Sequence, residues 1–171
     1  MTPRDALPAA PPLIVRASDA RRLSALWRTS TDAGLRGRRR MLRGYLGATT
    51  TMTVIAAYQT GLTRTLPELP FRPFDAPRVD ASPEAYQLLG MPDALLALLS
   101  NAATMALIGA GGRDRPRWLR RLTALKAGVD AAYSAKLTVD QVRKHRCLCS
   151  WCLLTTASTF SALPDALRQA R

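Results

Sequence analysis

Three uncharged runs limit what this chain can fold into. Gly44 to Thr63, Ala94 to Gly112 and Cys147 to Pro164 contain no Asp, Glu, Lys or Arg. Each is about 18–20 residues long, the length a helix needs to cross a hydrocarbon core of about 30 Å. The charge excluded from these runs is concentrated between them. Of 171 residues, 25 are Lys or Arg and 12 are Asp or Glu, giving a net charge of +13. That length fits one domain. A hydrophobic content of 47% excludes an extended disordered chain, and three cysteines are too few for a disulfide-dense miniprotein.

Such a charge has two readings: nucleic-acid binding, or basic loops flanking membrane helices. The positions of the charges separate them. Residues 1–42 form a basic arm with Arg4, Arg16, Arg21, Arg22, Arg28, Arg36, Arg38, Arg39 and Arg40. Pro8, Pro11 and Pro12 make its start flexible, and Ser18 to Trp27 predicts a short amphipathic helix. No secretory signal peptide is expected. The loop after the first run is nearly neutral, and the loop after the second is basic again, from Arg113 to Arg121. This alternation places the N-terminus in the cytoplasm, with the arm against anionic membrane lipid. No zinc-finger, aromatic RNA-binding or helix-turn-helix pattern is present, so no nucleic-acid partner is expected. A soluble basic helical protein that binds nucleic acid remains the alternative.

Six prolines between Leu66 and Pro92 forbid a long helix there. Ser82-Pro83-Glu84-Ala85 predicts a capped helix start running to Leu89. Asp93 suits the first turn of the second long helix, and Gly109, Gly111 and Gly112 end it. Leu122 to Val142 is helical in composition but polar. Lys126, Asp130, Lys136 and Asp140 fall within about 120° of one another on a helix, with Tyr133 among them. Ala127, Ala131 and Ala135 lie opposite. The polar face is either solvated or turned into a bundle interior, where ionisable groups are usually functional. Four crossings require this segment to be a span, leaving Arg143, Lys144 and Arg146 on the outer side against the rule. The expected fold is all-α: a four-helix transmembrane bundle over residues 43–165, a basic arm before it and a tail at 166–171.

All three cysteines lie in His145-Arg146-Cys147-Leu148-Cys149-Ser150-Trp151-Cys152. Cys149 and Cys152 form a C-x-x-C at a predicted helix start. There the two sulfurs share one side, and the helix N-terminus favours a thiolate at the first. Lys144, His145 and Arg146 add positive charge. Three readings stand: a redox pair, a metal site of His145, Cys147, Cys149 and Cys152, or three small buried cysteines. The metal reading lacks a second C-x-x-C or His pair, and no metal is expected. Tyr133 is a candidate ligand contact or a packing residue with a satisfied hydroxyl. Trp151 sits where an interfacial aromatic would, as do Trp118 and Tyr45.

From about Arg43 to Phe160 the chain resembles the vitamin K epoxide reductase family. The motifs are the Pro-rich loop, Leu89-Gly90-Met91-Pro92 opening the second apolar run, and Cys149-Ser150-Trp151-Cys152-Leu153 opening the last. The resemblance implies a multi-pass protein of the bacterial inner membrane that passes electrons between thiols and a quinone. Cys152 would face the quinone; given such a ligand, Tyr133, through a hydrogen bond to a quinone carbonyl, and Trp151 are this chain's own candidate cofactor contacts. Cys149 would exchange with an incoming thiol from a thioredoxin-like partner. Ser82 falls near a serine common in the family's loop. The family's loop also carries a relaying cysteine pair. Here Arg64 to Gly90 has no cysteine, and Val79 or Asp80 stands about where one is expected. The resemblance therefore also admits a non-catalytic membrane relative that has lost the relay.

Overall fold

The computed structural model describes residues 16–171. The expected flexible start at Pro8, Pro11 and Pro12 lies outside them. The described chain is helical: α1 (Ala17–Thr29), α2 (Ala33–Gln59), α3 (Ala76–Asp80), α4 (Asp93–Gly109), α5 (Arg117–Asp140) and α6 (Ser150–Ala170). No strand occurs among the described residues. A 3₁₀ turn spans Pro83–Tyr86, and a π turn, Gln141–His145, extends α5.

Local chemistry sets the ends. Asp32 caps α2 by accepting from the Leu35 N–H at 3.0 Å, satisfying an amide the helix cannot. From there α2 buries Leu35, Arg38, Met41, Tyr45, Ala48, Met52, Ile55 and Gln59, a stripe at helical spacing. It ends just before Gly61, at φ 77°, in the left-handed region that glycine tolerates. Asp93 occupies the first turn of α4, as its charge predicted. Ser82 makes no side-chain cap, and Pro83–Tyr86 is a 3₁₀ turn rather than the expected capped helix.

α2 packs against α4 and α6, and α5 packs against the same two helices. The expected count of four long helices is therefore present. Among the described residues, however, no helix is long and apolar enough to cross a membrane. α4 is the most apolar but has 17 residues, while α2 and α5 carry charges within their length. Two of the long helices run past their uncharged stretches. α2 starts at Ala33, and its buried Leu35 and Arg38 belong to the bundle. Pro164 lies inside α6, which continues to Ala170 and buries Asp165 and Ala166.

The tightest joint is α2 on α6. A Cβ on Gly44 would lie 2.6 Å from the Ser158 carbonyl oxygen, and one on Gly37 would lie 2.8 Å from Gln169 Nε2. At this separation Thr51 and Thr155 hydroxyls meet at 2.6 Å, and Arg40 grips Asp165 through two bonds of 2.6 and 2.8 Å. At the same end, buried Arg38 donates to the carbonyls of Ile108 (2.7 Å), Gly109 (2.8 Å), Ala110 (3.0 Å) and Gly112. It therefore caps the C-terminus of α4 with a cation. Its guanidinium stacks on Trp27 of α1, 4.5 Å from the ring centroid. Arg39 donates to Trp27 and Arg28 carbonyls. Several arginines expected to meet lipid thus hold the bundle end together.

Two glycine substitutions separate packing from propensity. Gly44→Ala forces α2 off the Ser158 backbone and should cost about 1–3 kcal/mol. Gly128, mid-α5, has nothing within 4 Å of a Cβ, so Gly128→Ala should gain about 0.5–1 kcal/mol from helix propensity. Thermal unfolding of both in detergent checks the pair, and equal shifts would contradict the close α2–α6 contact.

Candidate functional site

The strap between α2 and α4 folds over the N-terminus of α6. Leu148 N–H donates to the Pro73 carbonyl at 2.9 Å, and Asp75 N–H donates to the Leu148 carbonyl at 2.9 Å. Glu68 accepts from Ser150 N–H at 3.0 Å, and the Trp151 indole N–H donates to the Pro67 carbonyl. These bonds anchor the strap, and α3 follows directly. Asp75 caps α3 by accepting from Arg78 N–H at 3.1 Å, and Asp80 ends that helix over the C-x-x-C.

Cys149 is the N-cap of α6. Its sulfur accepts from the Cys152 N–H at 3.2 Å, while its own N–H donates to Gln141 Oε1 at 3.0 Å. The Cys152 thiol donates to Asp80 Oδ1 at 3.5 Å. Asp80 and the two sulfurs lie with their polar atoms within 4.8 Å of one another. The three cysteines are free thiols; Cys147 and Cys149 are buried and Cys152 is half-buried. The sequence placed Lys144, His145 and Arg146 beside the thiols. Instead, the charged group bonded to Cys152 is a carboxylate, and Lys144 leans to Asp140 at 3.9 Å.

Gln59 fixes the backbone around Asp80. Its Nε2 donates to the Asp80 carbonyl at 3.1 Å and to Asp93 Oδ1 at 2.7 Å, and its Oε1 accepts from Ala94 N–H at 3.2 Å. The Asp80 side chain is less well served. Its Oδ2 is buried without a hydrogen-bond partner. Burial pushes its carboxyl from 3.8 up to about 6; the two neighbouring thiols pull against this, and Asp93 and Glu68 add to it.

A cavity of about 660 Å³ opens beneath these groups, between α2, α4, α5 and α6. Met52, Ile55, Leu96 and Leu137 form apolar wall, while Asp80, Ser82 and Cys152 lie toward the strap. Ser100, Asn101, Asp130 and Tyr133 also line it. Its volume lies within the range of small-molecule sites, which pair apolar walls with a few polar groups. Asn101 Nδ2 is buried without a partner, a free donor suited to a carbonyl oxygen. The residues present therefore fit a quinone ring.

The polar face of α5 divides. Asp130 turns inward and accepts from Tyr45 (3.0 Å), Ser100 (3.0 Å), Thr104 (2.7 Å) and Lys126 (2.5 Å), filling its acceptor sites. Lys136 and Asp140 pair at 2.6 Å on the more exposed side. Tyr133 lines the cavity but is 56% exposed. Trp151 is not among the cavity-lining residues. His145 lines the cavity, and Cys147 lies under the strap with its thiol 3.9 Å from the Asp75 carbonyl; neither joins the cluster of Asp80, Cys149 and Cys152. Gln59, Glu68, Asn101 and Gln141 were not singled out from sequence. The visible signal was only that Gln59 and Asn101 are carboxamides within or beside apolar runs.

Among the described residues, then, a helical bundle carries two free thiols at a helix start beside an internal cavity. The model of the vitamin K epoxide reductase family matches residues 40–166. The chain belongs to that family, whose members are quinone-linked thiol oxidoreductases. Comparison with curated proteins and with solved structures finds no match.

The Asp80 carboxyl makes stability pH-dependent with a definite sign. The folded state holds this proton more tightly than the unfolded chain, so its contribution is full below about pH 4 and is lost as pH rises through about 6. The loss is of order 3 kcal/mol. Asp80→Asn should flatten that slope, so its melting temperature in detergent should drop less than wild type between about pH 5 and pH 8. Parallel slopes would show that Asp80 is not titrating in this window.

Proposed function

We propose that this chain is a membrane-embedded, quinone-linked thiol oxidoreductase whose redox pair is Cys149 and Cys152. The observation that carries this reading is the placement of the Cys152 thiol on the wall of the cavity, one helical turn from Cys149. A quinone ring in the cavity meets Cys152 as the electron-exchanging sulfur. Asn101 Nδ2 and the Tyr133 hydroxyl supply donors to its oxygens. Interconversion of the dithiol and a Cys149–Cys152 disulfide moves two electrons. Trp151 acts through the strap, holding Pro67 over the helix start. A thioredoxin-like thiol reaches Cys149 when the strap lifts, because Cys149 is fully buried beneath it. The redox end faces the periplasm and the arginine-rich end the cytoplasm of a bacterial inner membrane.

Two features support seating in lipid. Leu46, Leu99, Leu125, Val129, Leu154 and Phe160 are exposed along the four long helices, and large exposed apolar surface marks a membrane or partner contact. The threonines that lower the hydropathy of α2 and α6 are also internally satisfied. Thr49, Thr50, Thr53, Thr155, Thr156 and Thr159 each donate to the carbonyl four residues back. A back-bonded hydroxyl asks less of the surrounding solvent than its residue type implies.

Purified protein in detergent, given dithiothreitol and menadione, should reduce the quinone. Cys149→Ser and Cys152→Ser should each lower that rate to background. Carbonate-washed membranes should retain the chain. Full activity in either variant refutes the redox pair, and release by carbonate refutes the seating in lipid.

A further inference from the structure

The strap carries no cysteine, yet one of its side chains reaches the C-x-x-C. Asp80 is 4% exposed. Its Oδ1 is 3.5 Å from the Cys152 sulfur, and its Oδ2 has no partner. It also lines the same cavity as Cys152. Buried polar atoms are nearly always satisfied. A carboxylate oxygen left bare beside a thiol and an internal cavity is placed to take and return a proton. We infer that Asp80 is a catalytic residue: the acid–base group that carries the Cys152 proton between sulfur and quinone. This rests on the redox pair proposed above.

The step balances as follows in the direction of thiol oxidation. The Cys152 S–H bond breaks and its proton moves to the Asp80 carboxylate, leaving a thiolate facing the cavity. The S–S bond to Cys149 forms as the Cys149 S–H bond breaks. Two electrons and two protons pass to the quinone, giving the quinol; Asp80 returns the Cys152 proton and Cys149 supplies the second. The reverse reaction uses the same groups in the opposite order. Without a base, the thiol would have to ionise inside a site that disfavours charge.

The surroundings suit this role. From α6 the two thiols face Asp80, and from the head of α4 comes Asp93, itself held by Gln59 of α2. Glu68 approaches from the strap. Lys144, His145 and Asp140 line the cavity from the end of α5. Burial, with a smaller push from the acidic neighbours, brings the Asp80 carboxyl up to about 6, closer to a thiol and to working pH, where proton transfer is most effective.

The test is single-turnover oxidation of the pre-reduced protein by menadione, followed by trapping of the Cys149–Cys152 disulfide across about pH 5–9. General acid–base help is commonly worth about 100-fold or more. Asp80→Asn should therefore slow disulfide formation by about that factor. The wild-type rate should climb through a transition near pH 6, and Asp80→Asn should lack that limb. Asp80→Glu, which keeps a carboxylate, should retain the limb and recover much of the rate. Asp80→Asn within twofold of wild type at every pH overturns the role of Asp80 while leaving the redox pair intact. A wild-type protein that forms no disulfide with quinone overturns both. If Asp80→Asn does not fold, the wild-type profile decides: a flat profile overturns the assignment.

Discussion

The close contact of α2 with α6 is the constraint on which the rest of the structure depends. Gly37 and Gly44 remove the side chains that would hold the helices apart. Only at that separation do Thr51 and Thr155 share a hydrogen bond and Arg40 reach Asp165. The α2–α6 joint also brings the end of α2, with Gln59, level with the start of α6. Gln59 then ties Asp80 and the head of α4 to one point.

The interior is polar in a controlled way. Asp130 gathers Tyr45, Ser100, Thr104 and Lys126, and Arg38 gathers the last carbonyls of α4. Such networks are stable inside a protein only when nearly complete. Against that background, four buried side-chain atoms among the described residues lack partners: Asp80 Oδ2, Asn101 Nδ2, Arg115 Nε and Arg120 Nε. Two of them, from Asp80 and Asn101, belong to residues lining the cavity with Cys152. Both face the same cavity as the Cys152 side chain, whereas Asp130, which also lines it, is fully bonded.

Much of the fold was legible in the sequence. Three uncharged runs and one polar helical segment became α2, α4, α6 and α5, because a 3.6-residue period and charge exclusion are local properties. The two sulfurs of the C-x-x-C were legible as neighbours because three residues' spacing is about one turn. The ends were less legible. Pro164 looks like a stop but is accommodated inside α6, and Arg38 and Arg39 look like surface charge but bond to backbone carbonyls. A residue's type does not say whether packing will supply a partner.

The sequence by itself determined the four long helices and the position of the dithiol, since each depends on neighbours within a turn or two. Only the tertiary structure decided what faces the dithiol. The basic residues adjacent in sequence do not pair with the thiols, and an acidic residue 72 positions away does. The physical reason is the strap: its hydrogen bonds to Leu148, Ser150 and Trp151 fold a distant segment over the helix start, and no local pattern encodes that closure.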